Sequence, residues 1–390
     1  MKLANRMDLL SESITIAITT LSRELKASGK DVISFSAGEP DFDTPQKIKD
    51  AAVAALDAGD TKYTAVDGTP AVKKAIVNKL KRDNNLDYKP EDIIVSVGAK
   101  HSLFNIFQAM INEGDEVIIP APYWVTYPEQ TKYSGGVPVE ILTTDESGFK
   151  ITPQQLKAAI TPKSKILILT TPSNPTGSVY SKDELIALAE VLKDTDITVV
   201  SDEMYEKLLY DGQKFTAAAS ISEDMFNRTI TVNGLSKSVA MTGWRFGYSA
   251  TPNKELNKAM KKLQSQSTSN ICSITQAAAI VALEGEVDSD IEMMRVEFEK
   301  RRNLAYDMFS KIDGLSVVKP SGAFYLYVNI KDVTHNSMKF CEDLLADVGV
   351  AVVPGVAFGL EGYFRFSFAT SEDIIVDGIN RIEKFVKSQK

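Results

Sequence analysis

Between residues 93 and 232 the chain repeats one pattern, a short apolar run rich in valine and isoleucine followed by a stretch of helical spacing. The runs are Ile93 to Val97, Val117 to Ile119, Val137 to Ile141, Ile166 to Thr170, Thr198 to Val200 and Thr229 to Val232, and helices are expected from about Lys100 to Met110 and from Lys182 to Leu192. Strands this apolar need cover on both faces, and helices between them provide it. The pattern predicts an α/β fold with a mostly parallel sheet flanked by helices. In such sheets ligands collect outside the carboxyl ends of the strands.

The residues at those ends carry chemistry. Ser96-Val97-Gly98-Ala99-Lys100 leaves a strand and enters a helix, so the free amides at Ala99 and Lys100 can cradle a phosphate. Trp124 follows one strand, and Asn174 sits in the constrained turn Ser173-Asn174-Pro175-Thr176-Gly177 after another. Asp202 closes the run from Ile197, with Tyr205 three residues beyond. Singly, a tryptophan here reads as core and an aspartate as a turn former. Lys237 follows the strand at Thr229 to Val232 among Gly234, Ser236 and Ser238, and Arg245 comes eight positions later between Gly243 and Gly247. Most lysines are solvated surface charges. One crowded by small residues beside a second cation loses some preference for its charged form, which suits attack on a carbonyl by Schiff-base chemistry.

Composition narrows the partners. With 390 residues the chain has room for two domains, and a net charge of −8 without dense Lys/Arg runs offers nucleic acid no footprint. G-x-G-x-x-G after a strand and G-x-x-x-x-G-K-[ST] are both missing, which disfavours nicotinamide dinucleotides and P-loop nucleotides. Cys272, Cys341, His101 and His335 make neither a disulfide framework nor zinc spacing, so no metal is expected and both cysteines are expected in the core. The start, MKLANRMDLLSES, lacks the apolar core of a signal peptide, and no apolar run is long enough to cross a bilayer. Small-molecule partners, no membrane and a cytoplasmic location are expected.

Elsewhere, Ile14 to Ser28 reads as an opening helix and Val32 to Phe35 as a strand entering the loop Ser36 to Phe42, where the Gly38 amide is open to a ligand. Thr44-Pro45 and Thr69-Pro70 read as cap and first turn of two helices. After Tyr248 come helices at Lys254 to Leu263, Gln276 to Leu283 and Val287 to Ile312, with the charge run Glu297 to Arg302 expected to face solvent. Strands at Ala323 to Val328, Val350 to Val353 and Tyr363 to Phe368, with helices at Met338 to Ala346 and Glu372 to Val386, predict a small α+β domain. Arg365 faces away from Phe364 and Phe366, and its planar fork suits a carboxylate. The expected division is 1–37, a helix and strand joining the small domain; 38–285, the large domain; and 286–390, the small C-terminal domain.

SKSVAMTGWRFGY, with AGEPDF, Pro122-Tyr123-Trp124, the Asn174 turn and FRFSFAT, resembles the class I pyridoxal-phosphate-dependent aminotransferases, in particular the bacterial aspartate aminotransferase branch. The resemblance implies the type I fold of that group and pyridoxal 5'-phosphate as cofactor. It implies Lys237 as the residue that bonds the cofactor and moves the substrate proton, Asp202 against the ring nitrogen, Asn174 and Tyr205 at the ring oxygen, and Trp124 stacked on the ring. Ser236, Arg245, Ala99, Lys100 and, from the neighbouring subunit of a homodimer, Tyr63 are implied at the phosphate. Gly38 and Arg365 are implied at the substrate α-carboxylate, beside Trp124 and Asn174. The region where vertebrate-type relatives place an arginine for the distal carboxylate is here Gln264-Ser265-Gln266-Ser267, so Lys100 with Ser13 and Thr15 is implied in that role instead. The implied reaction is reversible amino transfer from L-aspartate to 2-oxoglutarate. A prephenate/glutamate or aromatic specificity, or a β-lyase on the same fold, shares the cofactor residues and stays open. A regulator built on this fold would need a DNA-binding domain, and a generic nucleotide-binding enzyme the fingerprints that are missing.

Overall fold

A computed structural model describes residues 3–389. Its strands in chain order are β1 (Ile33–Ser34), β2 (Ile93–Val97), β3 (Glu116–Ala121), β4 (Val137–Leu142), β5 (Ser164–Thr170), β6 (Thr198–Asp202), β7 (Thr229–Gly234), β8 (Phe246–Ala250), β9 (Ser316–Val317), β10 (Tyr325–Asn329), β11 (Val350–Ala351), β12 (Val353–Pro354) and β13 (Tyr363–Ser367). The helices are α1 (Ile14–Ala27), α2 (Gln46–Asp57), α3 (Pro70–Asn84), α4 (Ala99–Met110), α5 (Thr126–Tyr133), α6 (Pro153–Ala159), α7 (Lys182–Leu192), α8 (Glu223–Arg228), α9 (Lys254–Ser267), α10 (Ser273–Leu283), α11 (Asp288–Phe309), α12 (Ser337–Val348) and α13 (Glu372–Ser388).

The large sheet has seven strands in the order β2-β8-β7-β6-β5-β3-β4. Neighbours from β7 to β4 pair in parallel, whereas β8 is antiparallel to both β2 and β7. Every residue of β7 and β8 is buried, as the apolar runs require of strands covered on both faces. A second sheet, β12-β13-β10-β9, is antiparallel and sets Arg365 opposite Tyr327. β1 pairs in parallel with β11, so the N-terminal segment is tied to the C-terminal part of the chain. Helix starts follow their side chains: Thr69 caps α3, which opens on Pro70, and Ser181 with Glu184 closes a capping box on α7.

Three sequence expectations are corrected. Thr44 does not cap α2; its hydroxyl donates to the Ala240 carbonyl at 2.8 Å and accepts from the Trp244 indole at 3.0 Å, tying the loop to the turn after Lys237. Cys341 is buried but Cys272 is exposed, because it immediately precedes α10 rather than lying on its packed face. The run Glu297 to Arg302 is not a solvated face: Arg302 is fully buried, with its terminal nitrogens donating to Asp211 at 2.9 Å each and to the Pro320 carbonyl at 2.8 Å. Arg302 falls at helical spacing with the buried Phe298, Ala305 and Phe309. Arg301 reaches across to Asp41 at 2.7 Å, so α11 clamps the loop that contains Gly38.

Candidate active site

The carboxyl ends of the parallel strands open into a cavity of about 530 Å³, a size that suits a small ligand. Thr170, Asp202 and Lys237 reach it from β5, β6 and the turn after β7, and Ala99, Lys100 and Trp124 from the turns after β2 and β3. Arg365 and Tyr325 close it from the second sheet, and Thr15 and Thr19 from α1.

Lys237 is half-buried, and its amine donates to the Gly38 carbonyl. The rings of Tyr205 and Phe324 lie 5.9 and 6.0 Å away. Burial pushes its pKa down to about 8; Glu39 and Asp202 pull it back up, while Arg365 and Arg245 lower it further. Behind it, Arg245 adopts a left-handed backbone (φ 56°) and donates to the Thr242 carbonyl at 2.8 Å. A Cβ on Gly98 would come within 2.7 Å of the Arg245 guanidinium, and one on Gly247 within 2.2 Å of the Ala99 nitrogen. Only glycines there let β8 and Arg245 press against the first turn of α4. Ser236 is buried beside them.

Asp202 is buried at the end of β6. Its Oδ2 accepts from the Tyr127 hydroxyl at 2.8 Å and its Oδ1 from the Met204 amide at 3.3 Å. Burial raises its pKa, opposed by those two bonds and by Lys237. Trp124 stands edge-on to Tyr127, ring centroids 5.6 Å apart, with the Lys100 amine 5.0 Å over the indole. Close packing and then the Arg245 charge lower the Lys100 pKa. Arg365 is buried; it donates to Asn174 Oδ1 at 2.9 Å and to the Ser36 carbonyl at 2.7 Å, and stacks 4.4 Å over Tyr325. Its Nε finds no partner among the described residues. The Tyr205 and Tyr325 hydroxyls share a bond of 2.9 Å.

Twelve of the fourteen residues expected from sequence therefore line one cavity. Ser13 and Tyr63 do not. Ser13 caps α1 and bonds Thr15 at 2.8 Å, and Tyr63 is 92 % exposed. Sequence reasoning missed Tyr127, Thr170, Ser36, Glu39 and Tyr325, which share the cavity. Tyr127 stands three residues after Trp124, a helical spacing hidden by Pro128. The described residues hold no group of three or more His, Cys, Asp or Glu side chains placed for a metal ion. No described helix is long and apolar enough to cross a membrane.

The family model for aminotransferase class I and II matches residues 30–382. The chain belongs to the class I and II aminotransferases. This aminotransferase is 51 % identical over 390 residues to the aspartate aminotransferase of Bacillus sp. (strain YM-2), covering 99 % of each chain. It is 49 % identical over 394 residues to that of Geobacillus stearothermophilus, covering all of both. It superposes on the crystal structure of the aspartate aminotransferase from Rhizobium meliloti with a TM-score of 0.96 at 43 % identity, covering 99 % of each chain. The cofactor of this aminotransferase is pyridoxal 5'-phosphate, and its substrates are amino acids and 2-oxo acids.

Proposed function

We propose that this aminotransferase transfers the amino group of L-aspartate reversibly to 2-oxoglutarate, with Lys237 as the catalytic residue. One observation carries the reading: a desolvated lysine, a buried aspartate, a buried arginine and a second lysine converge on a single cavity. The cavity suits the cofactor. The glycine-lined start of α4, with Arg245, Ser236 and the amides of Ala99 and Lys100, offers a phosphate several donors. When bound, the cofactor supplies a carbonyl for amine attack and a cationic ring that draws electron density from the substrate α-carbon.

The chain's own groups do the rest. With a pKa near 8, roughly a tenth of Lys237 is the free amine at pH 7, against about one in three thousand for an ordinary lysine. As a free amine it takes the α-proton from the substrate and returns it during transfer. Asp202, held by Tyr127 and Met204, would offer a carboxylate to the ring nitrogen, while Asn174 and Tyr205 would bond the ring oxygen and Trp124 would cover the ring. Arg365 holds the α-carboxylate with the Gly38 amide. It is already fixed by Asn174 and Ser36, so little side-chain freedom is lost on binding. Lys100, with Thr15 and the Ser13 bonded to it, receives the distal carboxylate.

A homodimer in which Tyr63 of the partner subunit reaches this phosphate site belongs to the same proposal. The exposure of Tyr63, together with that of Val53 (55 %) and Leu56 (50 %), supports it. A division into 1–37, 38–285 and 286–390, with the β1–β11 pairing supporting the joining of the first segment to the last, and the cytoplasmic location expected from sequence also belong to the proposal.

The test is an absorbance spectrum of the purified holoenzyme before and after L-aspartate without any oxo acid. Loss of the visible band with gain of a near-ultraviolet band is expected. A visible band that aspartate leaves unchanged would sink the assignment of Lys100, Ser13 and Thr15 but keep the cofactor residues. Absence of any visible band after incubation with pyridoxal phosphate would remove Lys237 from its role.

A further inference from the structure

Asp202 is nearly sealed from water, and a buried carboxylate tends to take up a proton. A protonated carboxyl can no longer serve as the counter-charge to a cationic ring, so some neighbour must hold Asp202 in its charged form. The groups facing it are few: Tyr127 from α5, the Met204 amide from its own turn, and Lys237 across the cavity. Tyr205 also lies near, its hydroxyl sharing a bond with that of Tyr325.

The bond directions around Tyr127 are fixed by counting protons. Its hydroxyl lies 2.8 Å from Asp202 Oδ2 and 2.8 Å from Thr170 Oγ1. A phenol has one proton. An ionised carboxylate can only accept, so that proton goes to Asp202 and Thr170 donates to the phenol oxygen. The result is a directed chain from Thr170 on β5 through Tyr127 on α5 to Asp202 on β6, across neighbouring strands paired Thr170 with Asp202. The ring of Tyr127 also meets Trp124 edge to face. Tyr127 itself is buried to 1 % exposure, and burial together with Asp202 raises its pKa far above that of a free phenol, so it keeps its proton at working pH.

We propose that Tyr127 is a positioning residue for the transfer reaction: with Thr170 behind it, it keeps Asp202 ionised and aimed, and its ring props Trp124 from the side. This rests on the role given to Asp202. Removing only the hydroxyl, in Tyr127→Phe, leaves the ring contact with Trp124 and takes away a hydrogen bond that favours the ionised carboxylate. Asp202 then holds its proton more readily.

The test compares wild-type holoenzyme with Tyr127→Phe, with Thr170→Val, and with Tyr180→Phe. The last removes a buried phenol hydroxyl that accepts from the Ile151 amide at 3.0 Å, outside the active-site cavity. Three quantities are read: the pH midpoint of the visible absorbance band, the rate of cofactor release into excess apo-acceptor, and kcat and KM for aspartate. For Tyr127→Phe we expect the midpoint to move up by at least half a pH unit and release to speed up about tenfold. We expect kcat to fall about tenfold with KM within twofold. Thr170→Val should move the midpoint the same way by less, and Tyr180→Phe should not move it. If Tyr127→Phe and Thr170→Val both keep the wild-type midpoint and release rate, Tyr127 only fills space and the proposal is overturned. It is equally overturned if Tyr180→Phe shifts the midpoint as much as Tyr127→Phe. Should Tyr127→Phe fail to fold, Thr170→Val alone decides. A wild-type protein with no visible band would instead bring down the underlying role of Asp202 and Lys237, an outcome distinct from unaltered variants of a coloured enzyme.

Discussion

Replacing Lys79 by methionine should cost more stability than any surface change in the molecule. Lys79 on α3 is 6 % exposed and pairs with Glu206, 7 % exposed, in the turn after β6. Asn84 and Asn233 donate to the same carboxylate at 2.7 and 2.9 Å, and Lys79 also donates to Asn84 at 2.8 Å. Next door is Glu203, pushed up to about 8 by burial and then by the Glu206 charge. Removing the cation therefore leaves a buried anion beside a second acid, and breaking a buried pair in this way costs about 3 to 5 kcal/mol. Unfolding entropy of about 2.1 cal/mol/K per residue, over 390 residues, gives roughly 0.8 kcal/mol/K, so Tm should drop by about 4 to 6 °C. The assay is calorimetry of the apoprotein at pH 7. Adding Glu206→Gln to Lys79→Met removes the stranded charge and keeps an acceptor for one of the two asparagines, which donate to different oxygens of Glu206, and should restore at least half of the loss. A double variant no more stable than the single one would refute the reasoning, because the loss would then come from packing and not from charge.

Lys237 has its folded pKa lowered, so between pH 8 and 10.5 the unfolded chain binds more protons and apoprotein stability rises with pH through that window. Correspondingly, labelling of apoprotein Lys237 by an aldehyde and borohydride should show a midpoint near 8, and a midpoint near 10.5 would contradict its desolvation. Arg365→Lys loses the fork that spans Asn174 and Ser36; steady-state kinetics should show kcat/KM for aspartate down roughly 10- to 150-fold, the value of one charged hydrogen bond. Gly98→Ala places a methyl 2.7 Å from the Arg245 guanidinium at a residue with φ of +78°. Titration of the apoprotein with pyridoxal phosphate should show weaker binding than wild type, and unchanged binding would separate Arg245 from the phosphate site.

The strands of the large sheet were legible because they are continuous β-branched runs, and the residues at their ends stood out because acids, amides and lysines rarely follow such runs. β8 was not legible: Phe246 to Ala250 has no run of branched residues, and its strand character comes from being sandwiched between β2 and β7. Arg302 was misread because charge was weighed ahead of its helical spacing with Phe298 and Phe309. The cavity residues that escaped notice act through partners far along the chain. Tyr127 meets Asp202 across 75 residues and Tyr325 meets Tyr205 across 120. No local pattern marks a phenol that matters for where it lands. Lys237, Asp202 and Arg365 were found through motifs, and their placement in one cavity depends on two sheets meeting.

The place of β8 in the sheet order has a consequence for how the chain is made. β2 has β8 as its sheet neighbour, with Val95 opposite Tyr248. At a synthesis rate of about 5 to 20 residues per second, the apolar strand Ile93–Val97 leaves the ribosome roughly 8 to 30 s before the segment that pairs with it. Over that interval both of its edges are open to other chains. The first turn of α4 is held against Gly247 and Arg245 and so is among the last parts of the cavity to be set. A chain cut before residue 245 keeps β3 to β7 but has neither a mate for β2 nor the Arg245 guanidinium beside α4, and should be bound by chaperones or aggregate rather than hold the cofactor.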